Sequence, residues 1–148
     1  MIASLLSSIA VQLNEGGLNY TVFLDAKVQP RGEARDPREY VRSAFGAGVV
    51  VDAIETTTGA VVVEAVESSL TFAGSQGMGP SQRTLDSKEF HLLVNQLTDE
   101  LRKVIDTAQY VLEFRIGEGH PAYPVFWDFG FLFMLPDQVF ILIGSSSD

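Results

Sequence analysis

The residues best suited to acid–base chemistry lie in one short loop. Residues 117–124 read GEGHPAYP and contain His120 and Tyr123 between two apolar runs. An imidazole titrates near neutral pH and can act as a general base, with Glu118 or Asp128 as the group that orients it. No Ser or Cys stands in this loop as a nucleophile. The favoured alternative is a stiff connection whose His and Tyr pack locally, because most loops only join elements.

Two β-branched runs in the middle of the chain predict a hairpin. Residues 48–55 read GVVVDAIE and residues 60–67 read AVVVEAVE, on either side of a Thr-Thr-Thr-Gly segment. A three-residue loop over 57–59 places Gly59 in the left-handed conformation that follows a type I turn.

The register of that hairpin sets two carboxylates opposite each other. Asp52 faces Glu64 across the strand pair, and like charges in this position repel. If the pair is buried, the two acids share a proton or bind a cation. The alternatives are a solvent-exposed face, a neutralising Lys or Arg, or a two-residue loop that breaks the juxtaposition.

An aromatic strand is predicted over residues 126–134. Alternation puts Asp128 and Gly130 on one face and four aromatic side chains on the other: Trp127, Phe129, Phe131 and Phe133. We expect the aromatic face to meet the longest helix. Gly130 leaves room for a ligand, a crossing backbone or a partner side chain. The favoured reading is a central strand buried on both sides, with Asp128 satisfied by backbone donors or an arginine.

These residues must be positioned by a small set of predicted elements. Apolar residues at helical spacing predict a short N-terminal helix, and an Asp-Ser-Lys-Glu capping box at Asp86 predicts a long amphipathic one. Asp36-Pro37 favours a further short helix, with a strand as the alternative. Residues 74–85 are expected to form a flexible Gly-rich loop, and residues 144–148 a frayed end. Strands are predicted over 20–28, 48–55, 60–67, 110–116, 125–135 and 138–143.

Consecutive strands without intervening helices favour antiparallel pairing. The predicted fold is a single α+β domain over residues 1–148. It has a mainly antiparallel sheet of about five or six strands, with one long amphipathic helix and the short N-terminal helix packed on it.

The net charge and the Cys and His content disfavour several classes of partner and site. The net charge is −9, which disfavours binding to nucleic acid or to anionic membranes and favours a basic protein partner. The chain has no Cys, and its two histidines are far apart in sequence, so neither a metal site nor any other cofactor is expected. No signal peptide or membrane-spanning run is visible, and the predicted location is the cytoplasm.

The favoured function is a non-catalytic protein-binding module, of the type of an immunity protein that neutralises a basic toxin or enzyme. This is an analogy of size, charge and composition, and no motif carries it. The expected partner-binding residues are Asp52, Glu55, Glu64 and Glu67. One alternative is a small enzyme or ligand-binding domain with a pocket at the 117–124 loop, where the candidates are His120, Asp128 and Tyr123. The other is a structural subunit that forms a homo-oligomer.

Overall fold

Helices and strands cover most of the chain. The computed structural model describes residues 1–32, 35–75 and 77–148, and these form five helices and five strands. In chain order they are α1 (Ile2–Asn14), β1 (Thr21–Pro30), α2 (Pro37–Phe45), β2 (Val50–Thr57), α3 (Gly59–Leu70), α4 (Gln82–Asp86), α5 (Lys88–Thr107), β3 (Tyr110–Glu118), β4 (Trp127–Met134) and β5 (Gln138–Ser147). The α+β class, the long helix and the short N-terminal helix are confirmed.

The five strands form one sheet in the order β1-β5-β4-β3-β2, and every neighbouring pair is antiparallel. The predicted antiparallel sheet is therefore confirmed. β3, β4 and β5 follow one another as a meander, closed at Pro136-Asp137 by the Leu135 N–H, which donates to the Gln138 carbonyl at 2.9 Å. β2 and β1 are the two edges.

The aromatic face of β4 meets the helices, as predicted. Phe131 and Phe133 are fully buried in one core cluster with Leu97 and Leu101 of α5. The apolar faces of α1 and α3 complete this cluster, and each such buried side chain contributes about 1.5–3 kcal/mol to stability. The long helix is thus held by its apolar stripe.

The opposite face of the sheet is covered by α2. Asp36 caps this helix by accepting the Arg38 N–H, and Pro37 follows it, so the helical reading of this segment is confirmed. Tyr40 and Val41 are buried against β4 and β5. β4 is therefore a central strand buried on both faces over most of its length.

The predicted hairpin is wrong in its second half. β2 ends at Thr57, and residues 59–70 form α3 instead of a strand. Thr58 caps the helix by accepting the Val61 N–H at 3.3 Å. Val62, Val66 and Leu70 recur every fourth residue and are fully buried, so packing overrides the β propensity of the valines.

Gly59 serves helix packing and not a turn. It is the first residue of α3, and a Cβ there would lie 2.5 Å from Ile105 Cγ2 of α5. Its missing side chain lets the two helices approach closely.

The predicted frayed end is also wrong, because residues 144–147 belong to β5. All four pair with β1, residues 144–146 also pair with β4, and Ser145 and Ser146 are buried. A Cβ on Gly144 would lie 2.8 Å from Leu24 Cδ2 and would collide with the Phe129 ring. Small residues are needed here because large neighbours fill the space.

Within the predicted Gly-rich loop, residues 82–86 form α4, and Ser75 and Gly79 make isolated β-bridges with Met78 and Leu18. The mobility of the segment stays a prediction. The long helix α5 begins one residue later than expected, with Ser87 as its cap: the Ser87 hydroxyl accepts the Phe90 N–H at 3.3 Å.

Candidate functional site

The four acids expected to bind a partner lie on two different elements. Asp52 and Glu55 are exposed on β2, at the edge of the sheet. Glu64 and Glu67 lie on α3, exposed and half-buried respectively. The predicted pairing of Asp52 with Glu64 is wrong, since the second residue stands on a helix and has no cross-strand partner. The shared proton and the bound cation were inferred from that pairing, so neither inference applies to these two residues.

Glu64 and Glu67 line a groove between α3 and α5. This α3–α5 groove has a volume of about 750 Å³. It is lined by Gly59, Ala60, Val63, Glu64, Glu67 and Ser68 of α3, by Thr71 just after α3, and by Arg102, Ile105 and Asp106 of α5. Its size lies within the range of ordinary binding pockets, about 300–1,000 Å³.

The groove has an apolar floor and an acidic rim. Val63 and Ile105 are half-buried at its base, between the two helices. Glu64 and Glu67 stand on one wall, and Asp106 on the other. The single basic side chain among the lining residues is Arg102, whose Nη1 already contacts Asp99 Oδ1 at 3.1 Å. An apolar surface flanked by carboxylates fits a ligand that is apolar in the middle and basic at its sides.

The acids of β2 have a different setting. Glu55 lies directly opposite Glu113 of β3, so two like charges meet at the edge of the sheet. The Asp52 carboxylate lies over Gly117, where a Cβ would collide with it. β2 also departs twice from regular pairing, between Val50 and Ala53. Irregular pairing and charge are the usual protection of an edge strand, and they account for these acids without a partner.

The histidine loop forms a second cleft, of about 540 Å³. His120, Tyr123 and Asp128 all line it, together with Arg115 and Glu118, so the structure brings the three predicted candidates together. His120 is half-buried, and its ring meets Phe23 of β1 edge-on at 6.5 Å. Tyr123 also lines the cleft, but its side chain is 79% exposed.

The imidazole of His120 lies in a half-buried setting. Burial lowers its pKa from the usual 6.5, against smaller opposite effects of the Ala122 backbone and the Asp128 charge. Nδ1 lies 2.9 Å from the Ala122 N and 3.0 Å from the Ala122 carbonyl oxygen, so it can accept from the first or, when protonated, donate to the second. The loop is therefore closed on itself through the histidine ring. Asp128 was expected to be buried, with its carboxylate satisfied by backbone donors or an arginine. The structure leaves this side chain exposed.

Gly130 makes room for a side chain of this protein. A Cβ there would lie 2.6 Å from Phe114 Cε2, on the face of the sheet opposite α5. The sequence left open a ligand, a crossing backbone or a partner side chain, and the space beside Gly130 is instead filled by Phe114 of the same chain.

Ser145 is the polar residue near this cleft that the sequence did not single out. It pairs with Asp128 on one side and with Phe23 on the other. It is 1% exposed, and within the described part of the chain its hydroxyl has no hydrogen-bond partner. The pairing of 144–147 with β1 was the missing information, since a polar run at a chain end is typical of fraying.

Metal-ligand clusters and membrane-spanning helices were both sought among the described residues. In residues 1–32, 35–75 and 77–148, no three His, Asp or Glu side chains cluster as metal ligands would. Over the same ranges, none of the helices combines the length and the apolar character needed to cross a membrane.

Comparison with protein families, with characterised proteins and with solved structures finds no match to this chain.

Proposed function

We propose that this chain is a non-catalytic protein-binding module, and that it binds a basic partner protein in the α3–α5 groove. The observation that carries the proposal is the groove itself, an apolar floor between two helices with carboxylates on both walls. Burial of apolar side chains in such a floor supplies affinity, and the flanking charges supply orientation and specificity.

The overall charge supports the same partner. A net charge of −9 attracts a basic protein from a distance and accelerates encounter at low ionic strength. Immunity-type inhibition of a basic toxin or enzyme is the finer form of the proposal. In that form, the chain neutralises its partner by occupying it, with no turnover of its own.

The proposal gives different roles to the two pairs of acids. Glu64 and Glu67 contact the partner, whereas Asp52 and Glu55 contribute mainly to the long-range field. The pairs can be separated because each can be reversed in charge with the same change in net charge.

The test is affinity capture from the native cells with three tagged proteins: wild type, Glu64→Lys/Glu67→Lys and Asp52→Lys/Glu55→Lys. We expect wild type to retain one basic protein in stoichiometric amount, released at high salt. The α3 variant should lose it, and the β2 variant should retain most of it.

Circular dichroism and thermal unfolding of both variants provide the control for folding, which is needed because Glu67 is half-buried while the other three side chains are exposed. Capture that is equal in all three proteins, or lost only with the β2 variant, would contradict the proposed site. If no partner is retained by wild type at low salt, the binding-module proposal itself fails.

A second candidate function is a small enzyme or ligand-binding domain at the histidine cleft. The observation in its favour is that His120, Tyr123 and Asp128 line one cleft above the buried Ser145. Ligand-observed NMR with a library of small polar molecules tests it. Binding that is lost in His120→Ala and retained in His91→Ala would support this candidate. If no molecule of the library binds, the candidate fails, and the 117–124 loop only connects β3 to β4.

A further inference from the structure

We infer that the segment bound in the α3–α5 groove is an amphipathic α-helix with an apolar stripe and basic residues along both flanks. This inference rests on the proposed function, and it specifies the conformation and residue pattern of the partner's contact segment.

The walls of the groove favour a helix over an extended strand. All ten lining residues belong to α3, to α5 or to the single residue that follows α3. The backbone amides of these helices are used within the helices, so the groove presents side chains and no strand edge. An extended segment would leave its own amides unpaired there, whereas a helix satisfies them internally.

The α3 wall of the groove is about three helical turns long, and the α5 wall, from Arg102 to Asp106, is about one turn. The lining extends along α3 from Gly59 to Thr71. At 1.5 Å per residue this is roughly 18 Å, which a helix of about twelve residues spans.

The α3 wall permits close approach. Ala60 and Ser68 are small and exposed, and both point into the groove as lining residues. Helices pack with their axes about 8–10 Å apart where the side chains between them are small. Val63 and Ile105 then form the floor for apolar side chains spaced three and four residues apart on the bound helix.

The charges define the flanks of the bound helix. Glu64 and Glu67 lie on the α3 wall and Asp106 on the α5 wall, so Lys or Arg is favoured on each side of the apolar stripe. The sequence of α3 contains no Lys or Arg, which leaves its own wall purely acidic.

A second copy of this chain is a poor occupant. Its best basic segment, near α2, is already engaged: Arg31 donates to Gln109 and to the Leu135 carbonyl, and Arg35 stacks over the Tyr40 ring at 4.6 Å. Two copies with a charge of −9 each also repel.

The test uses three labelled synthetic peptides and fluorescence anisotropy with the intact protein. The first contains Leu and Lys at helical spacing, the second has the same composition with strict alternation, and the third replaces Lys by Glu at helical spacing. We expect the first to bind at least about tenfold more tightly than the other two. Circular dichroism should show that it becomes helical on binding.

Three variants locate the site. Glu64→Lys/Glu67→Lys should weaken binding of the first peptide by about tenfold or more, and Asp52→Lys/Glu55→Lys should change it by less than about threefold. Ala60→Leu keeps the charge and fills the groove, and it should weaken binding to a similar degree as the α3 charge reversal.

If the alternating peptide binds as tightly as the first peptide, the bound segment is not required to be helical and the inference fails. If Ala60→Leu leaves the affinity for the first peptide unchanged, the peptide does not bind in the α3–α5 groove. These outcomes are distinguishable from failure of the proposed function. If the native partner is captured through Glu64 and Glu67 but the helical peptide does not compete for it, only the helix inference fails.

Discussion

At the scale of single residues, His120 is tied to its own loop. Nδ1 lies within hydrogen-bond distance of the Ala122 N–H and of the Ala122 carbonyl, and the ring packs edge-on against Phe23, so protonation places a charge on a half-buried ring. The depressed pKa follows mainly from that burial.

This arrangement predicts a loss of stability on acidification. The folded pKa lies below the 6.5 of the unfolded chain, so the unfolded chain takes up the proton first as the pH falls. Stability from this residue is therefore present at neutral pH and is lost from about pH 6.5 down through the folded pKa. The free energy of urea unfolding should fall less for His120→Gln than for wild type over this window. A flat wild-type profile would refute the account of the ring.

Gly130 is a packing position that can be tested by one methyl group. A Cβ there would lie 2.6 Å and 2.7 Å from two atoms of the Phe114 ring, and the strand backbone cannot move away because β4 is central. We expect Gly130→Ala to lower the free energy of unfolding by about 1–3 kcal/mol.

The control is Gly48→Ala, where no atom lies within 4 Å and the change should cost under about 0.5 kcal/mol. Adding Phe114→Leu to Gly130→Ala should recover part of the loss. Equal stability of the two single alanine variants would contradict the packing described for Gly130.

At the scale of elements, the sequence predicted α1, α5 and the strands of the meander from their apolar patterns, and α2 from the Asp36-Pro37 start signal. It failed at α3, where four valines favour a strand and the stop signal after Thr57 resembles a turn. The signal that indicates a helix is the four-residue spacing of Val62, Val66 and Leu70, which follows Thr58 as an N-cap. That spacing is decisive only once α5 and β4 are known to cover it.

The start of α5 gives a test of the capping assignment. Ser87→Ala removes the acceptor of the Phe90 N–H and should cost about 0.5–2 kcal/mol of unfolding free energy. Asp86 is exposed and contacts Gln82 at 3.0 Å, so Asp86→Ala should change stability by less than about 0.5 kcal/mol. Urea unfolding of the two variants under the same conditions compares them, and a larger cost for Asp86→Ala would restore the cap expected from the sequence.

At the scale of the whole molecule, the acidic charge was visible in the sequence, but its distribution was not. The four acids expected on one hairpin are divided between a sheet edge and a groove because residues 59–70 form a helix. Nothing in the local sequence of α3 indicates a groove, since its opposite wall comes from α5, more than thirty residues later. The residues that line the histidine cleft, in contrast, come largely from one continuous stretch, 115–124, so their proximity could be predicted from the sequence, and a function for that cleft stays a prediction.

The central claim, that a basic partner occupies the α3–α5 groove, is tested most directly by carboxyl footprinting of the protein free and in complex with its captured partner. Carbodiimide labelling read by mass spectrometry reports the accessibility of each acidic side chain. We predict that Glu64, Glu67 and Asp106 become protected on binding while Asp52 and Glu55 keep their reactivity. Protection of Asp52 and Glu55 with unchanged labelling at the groove would contradict the account.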